Sequence, residues 1–208
     1  MSLKRVFAAS SGSGNNRIST PLKYTGSIKL SNGENYTPKP GSLVTVTRAI
    51  SARVNQNFDG FPSAELKKAH KTFIGRPVFV NHNNEDHTRT RGIVIDSVYK
   101  EADKDKYIEL TIEVDAKTFP RIAALISTGE LDSVSMGTDV KFTKCSYCDN
   151  KAYDVDDFCD HVKYQKGQRL SKLNPETGKQ EKVLVYESCH GLNFFEISYV
   201  FDPADETA

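Results

Sequence analysis

Two separate groups of side chains in this sequence have residue types and spacings that could do chemistry. The first is a serine and a histidine. Ser135 lies in Leu131-Asp132-Ser133-Val134-Ser135-Met136-Gly137, and His82 ends the run Pro77-Val78-Phe79-Val80-Asn81-His82. Each sits at or just beyond an apolar, β-branched stretch that predicts a strand. A serine hydroxyl is a weak nucleophile near neutral pH, and an imidazole that accepts its proton activates it. If the fold joins these two strand ends, the protein is a hydrolase working through an acyl-enzyme. If it does not, both residues serve local hydrogen bonding, their commoner role at strand ends. Gly137 is expected to leave room for substrate and to let nearby backbone N–H groups face an oxyanion.

The second group is Cys145-x-x-Cys148 followed by Cys159-x-His161. Two thiolates at this spacing form a chelating knuckle, and a second Cys/His pair completes a tetrahedral N/S set. The loop Asp149 to Tyr153 has too little apolar content for a core of its own. A bound ion would supply the missing cross-link; structural zinc contributes on the order of 10 kcal/mol in small peptides. A closed set of four ligands points to structural rather than catalytic zinc. Cys189 and His190 are alternatives to His161 as the fourth ligand. A redox role for Cys-x-x-Cys lacks its βαβ setting, and no H-E-x-x-H pattern supports a zinc hydrolase.

The elements that must position these residues are mostly strands. Ser27–Leu30, Ser42–Thr47, Pro77–Asn81, Gly92–Tyr99 and Tyr107–Val114 read as strands, as do the run from Ser135 through Phe142, Val183–Tyr186 and Phe194–Val200. One helix is predicted from Pro62 to about Thr72, with Leu66, Ala69 and Phe73 on one face. A second spans Lys117 to Ser127, with Gly129 as its C-terminal cap. The expected fold is therefore α+β and β-rich, with two main helices and strands pairing mostly antiparallel. No G-x-S-x-G elbow supports an α/β-hydrolase.

The chain of 208 residues is long enough for one domain with a small appended unit. Residues 1–20 read as a flexible tail, 21–204 as the ordered domain including a Cys-rich insert over 143–182, and 205–208 as a C-terminal tail. Lys and Arg total 28 against 27 Asp and Glu, a balance that favours neither a nucleic-acid nor a membrane-surface role. No signal peptide is visible and no apolar run spans a bilayer, so synthesis in the cytoplasm is expected. There, four cysteines favour metal over disulfides.

The order of these segments resembles the prohead (capsid maturation) proteases of tailed phages, which are related in fold to herpesvirus assemblin. The resemblance covers about Ser51 to Ala204. It rests on Gly75-Arg76-Pro77 leading to His82, the returning Gly92-Ile93-Val94, the turn Gly129-Glu130-Leu131 leading to Ser135-Met136-Gly137, and Glu196-Ile197-Ser198-Tyr199-Val200-Phe201-Asp202-Pro203-Ala204. It implies a herpesvirus-protease-like barrel or sheet and a serine endopeptidase, with no cofactor for catalysis, that cleaves scaffold, major capsid protein and often itself inside the assembling procapsid. His82 matches the base, Ser135 the nucleophile and Glu196 the acid that orients the imidazole. His190 is the chief rival for that third role, by analogy with Ser-His-His enzymes, and Asp139 and Asp86 are weaker ones. His70 and His87 read as surface or loop residues. Herpesvirus relatives allow a homodimer. The resemblance leaves the cysteine insert unexplained. The competing reading is a non-enzymatic virion or tail module of related fold, with a zinc-stabilised docking surface. The separating observation is whether Ser135 reaches His82 or lies on the opposite face of the sheet.

Overall fold

A computed structural model of the chain describes residues 4–9, 19–22, 26–102 and 105–201. Its first strands are β1 (Lys4–Ala9), β2 (Ser19–Leu22), the short β3 (Ile28–Lys29) and β4 (Asn35–Tyr36), β5 (Leu43–Ser51) and β6 (Asp59–Gly60). Helix α1 (Ser63–Ala69) continues as a 3-10 turn over His70–Phe73 and leads to β7 (Pro77–Val80), β8 (Gly92–Ala102) and β9 (Asp105–Val114). Helix α2 (Pro120–Thr128) precedes β10 (Ser133–Cys145). The Cys-rich insert then carries β11 (Lys151–Ala152), α3 (Asp160–Gln165), β12 (Arg169–Leu173) and β13 (Gln180–Leu184), before the long β14 (Glu187–Val200).

The main sheet runs β1-β10-β14-β7-β8-β9-β5-β2, with β11 attached to β10 and β6 to β14. No closure into a barrel is seen among the described residues, because β1 and β2 end the order without pairing to each other. Pairing is antiparallel throughout except where β14 runs parallel to β7 and to β6. Short turns favour antiparallel neighbours, but β7 and β14 are not sequence neighbours. β7 turns back into β8, and β14 is laid down beside β10, so their common direction is set by topology.

The alternation expected of Tyr107–Val114 appears as Ile108, Leu110 and Ile112 with no exposed surface. Leu66 and Ala69 of α1 are buried on the sheet, and Phe73 stacks on Phe194 of β14 with ring centroids 4.0 Å apart. Gly129 caps α2 in the left-handed region at φ 76°, where a side chain would be strained. Buried Asp96 and Glu113 fasten the β3–β4 hairpin over β8 and β9. Asp96 accepts from the Ser31 N–H at 2.7 Å and hydroxyl at 2.6 Å. Glu113 accepts from the Lys39 N–H at 2.7 Å and from the Tyr36 hydroxyl.

Three expectations change. The segment read as an N-terminal tail contributes β1, on the β10 edge, and the start of β2, on β5; the apolar run Val6-Phe7-Ala8-Ala9 is too short and too close to the Ser/Gly-rich stretch to stand out. The α helix of the first helical segment ends at Ala69 rather than Thr72, where the chain tightens into the 3-10 turn. The Cys-rich insert, for which the sequence predicts no helix or strand before Val183, contains a helix and a two-stranded sheet, β12 with β13. The expected C-terminal tail lies outside the described residues. Among the described residues no helix is long and apolar enough to cross a membrane.

Candidate active site and metal cluster

Three neighbouring strands bring the predicted residues together. Ser135 on β10 stands opposite Ser198 on β14, and Ser198 in turn pairs with Phe79 on β7. Beyond Val80 the chain leaves the sheet. The Asn81 N–H bonds to the Tyr199 carbonyl at 2.9 Å, and then Asn81 (φ 51°) and His82 (φ 53°) both take left-handed backbone. Asn and His are among the few non-glycine residues that adopt this region readily. Two such residues in succession turn the imidazole back across β14.

There His82 Nδ1 lies 2.8 Å from Glu196 Oε1, and its Nε2 is in hydrogen-bond contact with Ser135 Oγ. A carboxylate accepts only, so the Nδ1 proton is donated to Glu196 and Nε2 is left to accept from the serine hydroxyl. The Glu196 side chain is 1% exposed and that of His82 26%, while Ser135 is 0% exposed. The imidazole is thus the partly exposed member of a hydrogen-bonded chain whose other two members are buried. It lines a cleft of about 530 Å³ together with Asn83, Glu85, Arg89, Arg91 and Ile122.

Gly137 makes this approach possible, for a reason not expected from sequence. It pairs with Glu196, next to a β-bulge in which β14 carries one extra residue. A Cβ at position 137 would stand 2.8 Å from Glu196 Oε1 and 2.7 Å from the Phe195 ring. The glycine therefore clears space for the Glu196 carboxylate.

The rivals for the third position lie elsewhere. His190 stacks on Phe142 with centroids 5.0 Å apart, meets Ser188 Oγ at 3.0 Å and has Nδ1 3.7 Å from Glu65. Burial lowers its pKa, against the opposing pull of Glu65. Asp86 caps the turn at Thr88 at 2.9 Å, and Asp139 is near Asn193 at 3.5 Å. His87 is in an exposed turn, but His70 is half-buried with Nδ1 3.0 Å from the Ser97 carbonyl, so it is not a loop residue.

The cysteine cluster forms at the far end of β10. Cys145 is that strand's last residue, ten beyond Ser135, and ten residues of strand reach up to about 33 Å. Ligand atoms of Cys145, Cys148, Cys159 and His161 all lie within 4.8 Å of one another. The Tyr147 N–H points at Cys145 Sγ at 3.4 Å, and Cys148 and Cys159 Sγ are 3.5 Å apart. Tetrahedral zinc with Zn–S near 2.3 Å needs sulfurs roughly 3.8 Å apart, close to this spacing. His161 Nδ1 is buried and has no hydrogen-bond partner, as suits an atom that meets an ion. Cys189 is fully buried, with its thiol toward the Glu187 carbonyl at 3.9 Å, and neither it nor His190 belongs to the cluster. Around the cluster, Cys145, Val162 and Val185 form a small core flanked by Tyr147 and Phe158.

Sequence reasoning missed the tie between insert and sheet. Lys166, just after α3, reaches Asp59 at 2.8 Å and Glu187 at 2.6 Å. Burial would lower its pKa, but the two carboxylates prevail and raise it. No local pattern marks this triad, whose members are up to 128 positions apart.

This β-rich, mostly antiparallel sheet with few short helices is similar in fold to a phage capsid assembly protease of known structure. The solved structure of the bacteriophage T4 capsid assembly protease gp21 aligns with a TM-score of 0.52 and 14% identity, over 97% of this chain and 99% of that one. At that identity the likeness is one of fold. No family model and no curated protein sequence matches the chain.

Proposed function

We propose that the chain is a serine endopeptidase of phage capsid maturation, acting on scaffold and major capsid proteins, and on itself, inside the assembling procapsid. The observation that carries this is the relay Ser135–His82–Glu196, on a fold similar to that of a capsid assembly protease. In this reading Ser135 Oγ attacks the peptide carbonyl carbon while its proton passes to His82 Nε2. The tetrahedral intermediate collapses as His82 gives that proton to the departing amine, leaving an ester on Ser135. Water, deprotonated by His82, then hydrolyses the ester. Glu196 holds the imidazole tautomer and stabilises the imidazolium.

The Cys145, Cys148, Cys159 and His161 set would hold structural zinc, cross-linking an insert whose own apolar core is small. Its place beyond the far end of β10 keeps it out of the reaction. The side-chain contact between Ser135 and His82 favours an enzyme over a docking module.

The test is co-expression with scaffold and major capsid proteins. Wild type should process them, and Ser135→Ala should fold yet leave them intact. A fluorophosphonate should add one phosphonyl group to Ser135, with loss of fluoride. Normal processing by Ser135→Ala, or an adduct on another serine, would overturn the assignment.

A further inference from the structure

Glu196 has a second oxygen that the bond to His82 does not use. A carboxylate withdrawn from water needs donors on both oxygens, and here Oε2 accepts from Ser198 Oγ at 2.7 Å. Ser198 is 0% exposed. It lies two residues beyond Glu196 on β14, so both side chains project from one face of the sheet. Ser198 also occupies the register position between Ser135 on β10 and Phe79 on β7. It therefore stands in the floor between the strand of the serine and the strand that leads to the histidine.

We propose that Ser198 is a positioning residue for the His82–Glu196 pair, an inference that rests on the protease reading above and deepens it. The terminal torsion of a glutamate is soft, with broad wells. One bond, to an imidazole on a loop, leaves the carboxylate free to swing about it. A second, charge-assisted bond from a buried hydroxyl fixes the plane of the carboxylate and hence the direction of Oε1. A serine has one O–H. Donated to Glu196, it is not available to Nε2, so Ser198 does not compete with Ser135 for the base. Ser198 donates its one hydroxyl proton to the acid, and its influence passes through Glu196 to the imidazole.

The test compares wild type, Ser198→Ala and Ser198→Thr by two measurements. The first is the downfield NMR resonance of the His82 Nδ1 proton, assigned by its absence in His82→Asn. The second is phosphonylation of Ser135 by an alkyl fluorophosphonate, resolved into a maximal rate and a half-saturating concentration. In Ser198→Ala the resonance should move upfield or vanish. The maximal rate should fall about 10- to 100-fold, as for a modest misalignment of a catalytic group, with the half-saturating concentration unchanged. Ser198→Thr, which keeps the hydroxyl, should restore both. If Ser198→Ala does not fold, Ser198→Cys keeps the volume with a weaker donor and should give an intermediate loss. An unchanged resonance in a folded Ser198→Ala or Ser198→Cys overturns the proposal, as does a change confined to the half-saturating concentration. A wild type that resists phosphonylation would count against the protease reading alone, because the resonance reports on Ser198 without any reaction.

Discussion

Replacing Gly137 by alanine adds one methyl group at the point where the relay is tightest. Gly137 is not among the residues with left-handed backbone, so the cost of alanine comes only from what the new methyl meets. It meets Glu196 Oε1 at 2.8 Å and the Phe195 ring at 2.7 Å. Phe195 is half-buried and can give way, whereas Glu196 is 1% exposed and held by His82. Restoring ordinary contact near 3.4 Å requires a shift of about 0.6 Å. Taken by the carboxylate, that shift moves Oε1 out of the position that makes its 2.8 Å bond to His82. Gly137→Ala should therefore cost roughly 100-fold in the rate of Ser135 phosphonylation, and about 1–3 kcal/mol of stability from overpacking. Intact-mass kinetics and denaturant unfolding read the two effects. A double-mutant cycle sharpens the test. In a Glu196→Ala background the carboxylate is gone, so Gly137→Ala should slow the reaction little further. Full additivity, or a Gly137→Ala protein as fast as wild type, would refute the idea that this glycine serves the acid.

Three further outcomes follow from the rest of the molecule. Purified under reducing, non-chelating conditions, the protein should carry about one equivalent of zinc. Chelation should raise hydrogen exchange over residues 145–185 more than in the main sheet, because the small core there holds only three buried residues; less than about half an equivalent of metal would count against the site. Lys166→Met should lower unfolding free energy by about 3–5 kcal/mol, since Asp59 and Glu187 are left buried without their cation. The raised pKa of Lys166 implies that its stabilisation is complete below the unfolded lysine value and fades only as pH climbs through the folded one; a loss near neutral pH would refute this. His190→Gln should leave Ser135 phosphonylation within about threefold of wild type, because His190 contacts Phe142, Ser188 and Glu65 and not the relay; a loss as deep as that of His82→Asn would return it to the candidates for the third position.

The legible parts of the sequence were those written in local pattern. Alternation over Tyr107–Val114, the apolar face of Leu66, Ala69 and Phe73, and the glycine cap at Gly129 are each set by a few adjacent residues, and each is found where expected. Cys145-x-x-Cys148 and Cys159-x-His161 were equally plain, because a chelating knuckle needs a fixed short spacing. Two features were hidden for different reasons. β1 pairs along the β10 edge, and its run Val6-Phe7-Ala8-Ala9 is short, does not alternate and leads straight into a Ser/Gly-rich stretch, so nothing local marks it as a strand. Glu196 and Ser198 share a face by simple strand alternation, a signal that was available, but nothing local shows which strand they confront.

Sequence alone thus determined the chemistry on offer: a hydroxyl, an imidazole and several acids near strand ends, and four soft ligands in one insert. Which of these candidates lies beside His82 belonged to tertiary structure. Side chains in a sheet have a period of two, so a slip of one position between β10 and β14 would send Ser135 and Glu196 to opposite faces. The bulge beside Gly137, the parallel entry of β7 along β14, and the two left-handed residues Asn81 and His82 fix that register and aim the imidazole. They bring together residues 53 and 114 positions apart, a distance over which no sequence pattern reaches.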